Sequence, residues 1–200
     1  MSSGNSFSDI QLEFERIDDV SVLSNFFCGV NVMDEFIHAD VNGLQSYIDK
    51  YDKTKTYLAK IKEEIVAFFS ILESEIILDA DSKDDMKSRI SHKPERAFNY
   101  PEYLDEEKYP AIEIAYLAVE KSKRNQGIGR AIIMAIAKIA ENILDDCDFL
   151  TVDAYHTKEY SAGGFYSNLG FDKKTVIPYA DIWPMYYVIN PHIYGDDEGD

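Results

Sequence analysis

Apolar and polar residues alternate from Ile10 to Ile17, with Ile10, Leu12 and Phe14 in step, and that period of two predicts a strand. Asp18 and Asp19 follow as candidate caps for a mostly helical stretch from Val22 to Asp52, broken at Cys28-Gly29. Two further strands are predicted at Lys55 to Ile61 and Ile65 to Leu72, joined by the polar turn Lys62-Glu63-Glu64. The second is a continuous apolar run, the pattern of a strand buried on both faces.

From Asp79 to Lys108 the pattern gives way to a charged stretch holding Pro94 and Pro101, with one helical candidate at Asp81 to Ile90. It reads either as an excursion beside a functional site or as an ordinary solvent-facing insertion. Regularity returns at Ala111 to Val119, an apolar strand with a single charge, Glu113. Ile132, Ile133, Ile136, Ile139, Ala140 and Ile143 then recur at helical spacing and predict a helix from Arg130 to Leu144. Phe149 to Tyr155 reads as a strand, Ala162 to Leu169 as a short helix closed by Gly170, and Phe171 to Ile177 and Met185 to Ile189 as the last strands. Strands interleaved with helices place the chain in the α/β class. The polar ends, 1–8 and 195–200, read as disordered tails around a single domain at 9–194.

Composition narrows the function classes. The 200 residues are 46% hydrophobic, enough for a full core. The net charge of −17 argues against nucleic acid and anionic membranes as partners and favours cationic ones. Two cysteines exclude a disulfide-dense scaffold and a four-cysteine zinc site, and the histidines His38, His92, His156 and His192 show no ligand spacing, so no metal is expected. No apolar run is long enough for a transmembrane helix and the N-terminus has no secretory pattern, which points to a cytoplasmic protein with reduced thiols.

The chemistry concentrates after the Glu113 strand. Arg124-Asn125-Gln126-Gly127-Ile128-Gly129 is a glycine-rich loop entering a helix at Arg130. Free N–H groups and the helix dipole make such a place an anion site, and Lys121, Lys123, Arg124 and Arg130 add cations in an otherwise acidic chain. It lacks the third glycine of a dinucleotide fingerprint and the Gly-Lys-Ser/Thr ending of a P-loop.

Arg124-x-x-Gly127-x-Gly129, preceded by Leu117-Ala118-Val119, resembles the acyl-CoA signature of the GNAT superfamily of N-acyltransferases. Ala162-Gly163-Gly164-Phe165-Tyr166-Ser167-Asn168-Leu169-Gly170-Phe171 resembles the second conserved segment of that family, in the right order along the chain. The resemblance implies a mixed, mostly antiparallel sheet flanked by helices, in which a parallel strand pair splays to form the cofactor cleft. It implies acetyl-CoA as co-substrate, a primary amine as acceptor, and direct attack without an acyl-enzyme. It assigns the cofactor to the backbone at Leu117 and Val119 and to Arg124, Asn125, Gln126, Gly127, Ile128, Gly129 and Arg130. Where the family often has a cofactor-contacting asparagine, Glu159 stands here, and the stretch from Ala154 to Ala162 is longer than usual.

Two residues inherit catalytic roles from the resemblance. Tyr166 matches the tyrosine beside the thioester sulfur, where a phenol can serve the leaving thiolate; otherwise it is a packing residue. Glu113 matches the strand position of a catalytic glutamate in the histone-acetyltransferase branch, and a carboxylate in an apolar strand needs a reason to be there; otherwise it faces solvent. His156 reads as solvated or as a neighbour of the acceptor cleft, and Tyr179, Trp183, Tyr186 and Tyr187 as sheet residues or as a cage for a cationic amine. Asn25-Phe26-Phe27-Cys28-Gly29, with Met33-Asp34-Glu35-Phe36-Ile37 behind it, resembles the opening of GNAT-type toxins that acetylate aminoacyl-tRNA. Three readings stand: an N-acetyltransferase of a small or peptide amine, a toxin-like enzyme of charged tRNA, and a non-catalytic acyl-CoA-binding protein. A homodimer is compatible with each.

Overall fold

A computed structural model describes residues 10–84, 107–143, 147, 149–174 and 181–189. Seven strands form, β1 (Glu13–Ile17), β2 (Lys55–Ile61), β3 (Glu64–Ile76), β4 (Tyr109–Val119), β5 (Phe149–Tyr155), β6 (Asp172–Lys173) and β7 (Ile182–Val188). Their hydrogen-bonded order is β1-β2-β3-β4-β5-β7-β6. The helices are α1 (Asn31–His38), α2 (Leu44–Lys50), α3 (Ile128–Ile143) and α4 (Gly163–Ser167). Another helical segment begins at Ala80 and is described to Asp84. The architecture is mixed α/β, as expected.

The chain divides into two compact units, Met1–Leu72 with Ile114–Ile136, and Glu73–Glu113 with Ala137–Asp200. In the first, β1 and β2 pair antiparallel, as do β2 and β3, whose two-residue turn carries Lys62 at a φ of 57°. β3 is buried without interruption from Val66 to Ile71, which satisfies the apolar run. Within that run the buried Ser70 hydroxyl pairs with its cross-strand partner Thr56 at 2.8 Å, so neither polar group is left orphaned. The helical stretch resolves into a short 3-10 turn at Val20–Leu23, capped by Asp19 through Ser21, and then α1 and α2. Leu23, Phe26, Ile37 and Leu44 from this stretch pack with Leu58, Phe68 and Ala118 as one core. Phe26 meets Phe68 edge-on at 5.6 Å, and Phe36 stacks on Tyr116 of β4 at 4.5 Å.

In the second unit β4 and β5 are parallel, with Ala111, Ile112 and Glu113 opposite Phe149, Leu150 and Thr151. β5 and β7 pair antiparallel along the whole of β5. Ile76, Leu78, Tyr109, Ala111, Phe149 and Tyr186 form its core. Here β3 outruns its predicted end at Leu72 by continuing to Ile76, because Glu73 and Glu75 alternate outward with Ser74 and Ile76 turned inward. The strand expected at Phe171 to Ile177 is described only at Asp172–Lys173, and residues 175–180 lie outside the described residues. So do both tails, most of the 79–108 segment, and Asp145, Asp146 and Asp148.

Candidate active site

All nine residues assigned to the cofactor lie in the first unit. Leu117 and Val119 are half-buried on either side of the buried Ala118 at the end of β4. Glu120 then caps a 3-10 turn at Lys121–Lys123, its carboxylate accepting the Ser122 N–H at 2.7 Å and its own ionisation favoured by the bonds from Ser122. Asn125 and Gly127 adopt positive φ, 61° and 85°, which bends the chain sharply into α3. Glycine suits the second of these, since a side chain there would be strained. The helix begins at Ile128 rather than at Arg130, so Gly129 and Arg130 sit in its first turn, where N–H groups have no intrahelical partner. The sixteen residues of α3 supply the dipole that favours an anion there.

The cations of the loop are not equivalent. Lys123 is paired with Glu64 at 2.7 Å. Arg124 Nη1 donates to the Cys28 carbonyl at 3.3 Å, and Gln126 Nε2 to that of Ser122 at 3.0 Å. Lys121 packs its methylenes against Gly29. Cys28 itself is buried, and burial, the largest effect, pushes its thiol up to about 11, so it is a protonated thiol at neutral pH. Cys147 is likewise buried, its Sγ donating to the Phe149 carbonyl at 3.6 Å.

Tyr166 and Glu113 lie in the second unit. Tyr166 is carried by α4, whose short length reflects Gly163, Gly164 and the Gly170 turn at a φ of 92°. Its ring sits against Phe165 at 5.0 Å and Phe171 at 5.2 Å, and its carbonyl accepts the N–H groups of Leu169 and Phe171. Burial, reinforced by Tyr160, pushes the phenol well above its usual range, so the hydroxyl keeps its proton at any physiological pH. That is the state of a donor, not of a base.

Glu113 is half-buried, not the strand-end carboxylate of the alternative reading. Burial raises its carboxyl above the ordinary range and the negative charge of Asp153 raises it further, while the Ser74 hydroxyl, donating at 3.4 Å, works the other way. These groups open on a recess of about 140 Å³, which Thr151, Lys174 and Met185 also line. Neither Ser74 nor Asp153 was predicted. Asp153 was legible as the one carboxylate of β5, between the buried Val152 and Ala154; Ser74 was hidden because the strand was ended too early.

His156 is half-exposed and engaged. Its ring stacks on Trp183 at 3.8 Å and its Nδ1 shares a hydrogen bond with Ser161 Oγ at 2.7 Å. Lys173 lies over the same indole at 3.3 Å, so Trp183 is a platform for this unit's own cation. Tyr186 is buried in the sheet and Tyr187 packs on Phe171, while Tyr179, His92 and His192 lie outside the described residues. Glu159 is exposed in a tight turn closed by Thr157 N–H to the Tyr160 carbonyl at 2.7 Å. The His156–Ser161 bridge around that turn absorbs the extra length before α4. Among the described residues no group of three or more His, Cys, Asp or Glu could hold a metal ion, and no helix is long and apolar enough to cross a membrane.

Residues 96–173 match the family described as acetyltransferase (GNAT) domain. The matched span contains β4, α3, β5 and α4. Its class of activity is that of an acetyl-CoA-dependent N-acetyltransferase. No curated protein matches the sequence. Among solved structures, a bacterial toxin is similar at 15% identity and a TM-score of 0.63, covering 92% of this chain and 93% of its own. A tyrosine-to-phenylalanine mutant of the toxin AtaT, bound to the C-terminus of the antitoxin AtaR and acetyl-CoA, is similar at 15% identity and 0.59, with 89% and 93% covered. AtaT complexed with acetyl-methionyl-tRNAfMet is similar at 16% identity and 0.57, with 89% and 95% covered. At these identities the likeness is one of fold, and the share of the chain it covers is larger than that of the family match.

If the amides of residues 124–130 hold a phosphate anion, Gly127→Glu adds a strained side chain and a repelling charge at the point of approach. Acetyl-CoA binding should be lost in calorimetry while far-UV circular dichroism stays that of the wild type. Unchanged affinity would remove the anion from this loop.

Proposed function

We propose that the GNAT domain spans residues 9–194 with both units, and that it moves the acetyl group of acetyl-CoA directly to a cationic primary amine. The observation that carries the amine is the recess lined by Glu75, Glu113 and Asp153, whose three carboxyl groups outnumber its one cation, Lys174, and so favour an ammonium ion. Residues 124–130 take the cofactor's phosphates, and the backbone at Leu117 and Val119 the pantetheine arm. Glu113, its carboxyl raised towards neutrality, takes a proton from the ammonium directly or through water. The neutral amine attacks the thioester carbonyl carbon, the carbon–nitrogen bond forms, and a tetrahedral oxyanion results. As it collapses the carbon–sulfur bond breaks, the nitrogen gives up its remaining extra proton, and the departing thiolate takes a proton from the Tyr166 hydroxyl, which is restored by the one the nitrogen released. The high thiol value of Cys28 supports direct attack over a cysteine acyl-enzyme. We place this chemistry in the cytoplasm, where acetyl-CoA and free amines meet.

A second reading has an observation of its own. The fold matches AtaT complexed with acetyl-methionyl-tRNAfMet over most of both chains, and the α-amino group of an aminoacyl ester is also a primary amine. The charge of −17 opposes a tRNA body, so this reading needs a local basic surface. CoA release measured with polyamines, lysine peptides and aminoacyl-tRNA separates the two. Turnover with the first two alone favours the cationic small acceptor, and turnover with aminoacyl-tRNA alone overturns it.

Tyr166→Phe deletes only the hydroxyl, so turnover should fall by roughly 10²–10⁴-fold with acetyl-CoA affinity retained. Full activity would reduce Tyr166 to packing. For Glu113→Gln the sign is fixed by the raised carboxyl. The folded state holds that proton to higher pH than the unfolded chain does, so wild-type stability falls as pH rises from the unfolded carboxylate range through the folded value. The variant should lack that fall and be the more stable protein at neutral pH. It should also turn over slowly at neutral pH and recover at high pH, where the amine is neutral unaided. Denaturation midpoints and rates across pH read both, and a variant with wild-type rate and wild-type pH profile would clear Glu113 of the role.

A further inference from the structure

α1 is capped in an unusual way. Its N-cap, Val30, has no side-chain oxygen to offer. Instead Asp34, in the first turn, reaches back over the helix entry. Its Oδ1 accepts the Cys28 N–H at 2.7 Å and its Oδ2 accepts the Gly29 N–H at 3.0 Å. Gly29 holds a φ of 77°, a conformation that suits glycine and turns both N–H groups towards one carboxylate. The opposite edges of the same two peptide groups are also occupied. The Phe27 carbonyl, across the peptide bond from the Cys28 N–H, accepts the Lys121 N–H at 2.9 Å. The Cys28 carbonyl, across from the Gly29 N–H, accepts Arg124 Nη1 at 3.3 Å.

Each oxygen of Asp34 is therefore joined through one peptide unit to one end of the Lys121–Arg124 segment. A carboxylate on a peptide N–H polarises the group and makes its carbonyl a better acceptor. We infer that Asp34 is a positioning residue for the cofactor loop, fixing the Lys121 backbone and the Arg124 guanidinium through the 27–28 and 28–29 peptides. The inference rests on the reading that residues 124–130 hold the phosphates of acetyl-CoA. Charge alone makes the opposite claim. An aspartate near an anion site repels the anion, so neutralising Asp34 would tighten acetyl-CoA if it acted only through its field. As a positioning residue its loss must weaken binding.

The experiment is a double-mutant cycle on acetyl-CoA affinity, measured by calorimetry with Asp34→Ala, Arg124→Ala and the double variant, and with Asp34→Asn as the variant that keeps the shape. Asn retains one acceptor oxygen and loses the other, so it should lie between wild type and Ala. Asp34→Ala should weaken acetyl-CoA roughly tenfold, and the double variant should bind more tightly than the product of the two single losses, since the Arg124 path is severed by either change while the Lys121 path is lost only with Asp34. Steady-state rates should show the change in KM for acetyl-CoA with kcat held, which a merely loosened fold would not give. If Asp34→Ala fails to fold, the ordering of wild type above Asp34→Asn carries the same decision. Tighter or unchanged binding in Asp34→Asn, or fully additive losses, overturns the inference while the cofactor loop stands. Unchanged binding in Arg124→Ala overturns both.

Discussion

Two strands too apolar to lie at a sheet edge set the rest of this structure. β3 is buried without a break from Val66 to Ile71, and in β4 only Pro110 is exposed. A strand this apolar is best paired on both sides, so both take central places in the strand order, and in the first unit α1 and α2 pack Ile37 and Leu44 with Phe68 and Ala118. The functional groups follow from that placement. The end of β4 delivers the chain into a glycine-bent loop and then α3. The one carboxylate β4 carries is half-buried by its place in the strand, which is what raises its carboxyl.

The elements that pattern specifies most strongly were legible in the sequence. β2 and β5 fall on their predicted bounds, α3 differs by two residues at its start, and the strand carrying Glu113 gains two residues. Errors gathered where the signal is weak. The start of α3 was set by its first apolar repeat, but the φ values of Asn125 and Gly127 decide where a helix can begin. The end of β3 was set where the apolar run stops, although alternation carries on through Glu73, Ser74 and Glu75. A strand leaving the core changes from a continuous to an alternating pattern, and both are strand patterns.

The candidate site was legible only in part, for a related reason. Tyr166 and the cofactor loop belong to contiguous motifs, and contiguous motifs survive in one dimension. Ser74 and Asp153 meet Glu113 from β3 and β5 through strand pairing, which no local spacing encodes. His156 was read as solvated because a histidine after a strand usually is; its stack on Trp183 and its bond to Ser161 depend on β7 lying beside β5. Asp34 stood within a recognised segment, but nothing local distinguishes a carboxylate that caps its own helix from one that binds two peptides of the preceding turn.

The charge balance ties these features together. If residues 124–130 hold the phosphates of acetyl-CoA as proposed, a chain of −17 cannot rely on its general field, which repels the ligand. Two of the four cations at the loop are also held by the protein itself, Lys123 by Glu64 and Arg124 by the Cys28 carbonyl, so their positions are set by the fold. What remains is directional: N–H groups of a bent loop at the start of a long helix, held at fixed positions. Directional donors lose their value faster than point charges when their geometry loosens, since a hydrogen bond weakens steeply with angle while a Coulomb interaction falls only as the inverse of distance. An acidic acetyltransferase therefore has more need than a basic one of rigid support beneath its anion loop. The turn at Cys28-Gly29, glycine-bent and bound on both edges, provides that support with an aspartate whose own charge is satisfied by two N–H groups.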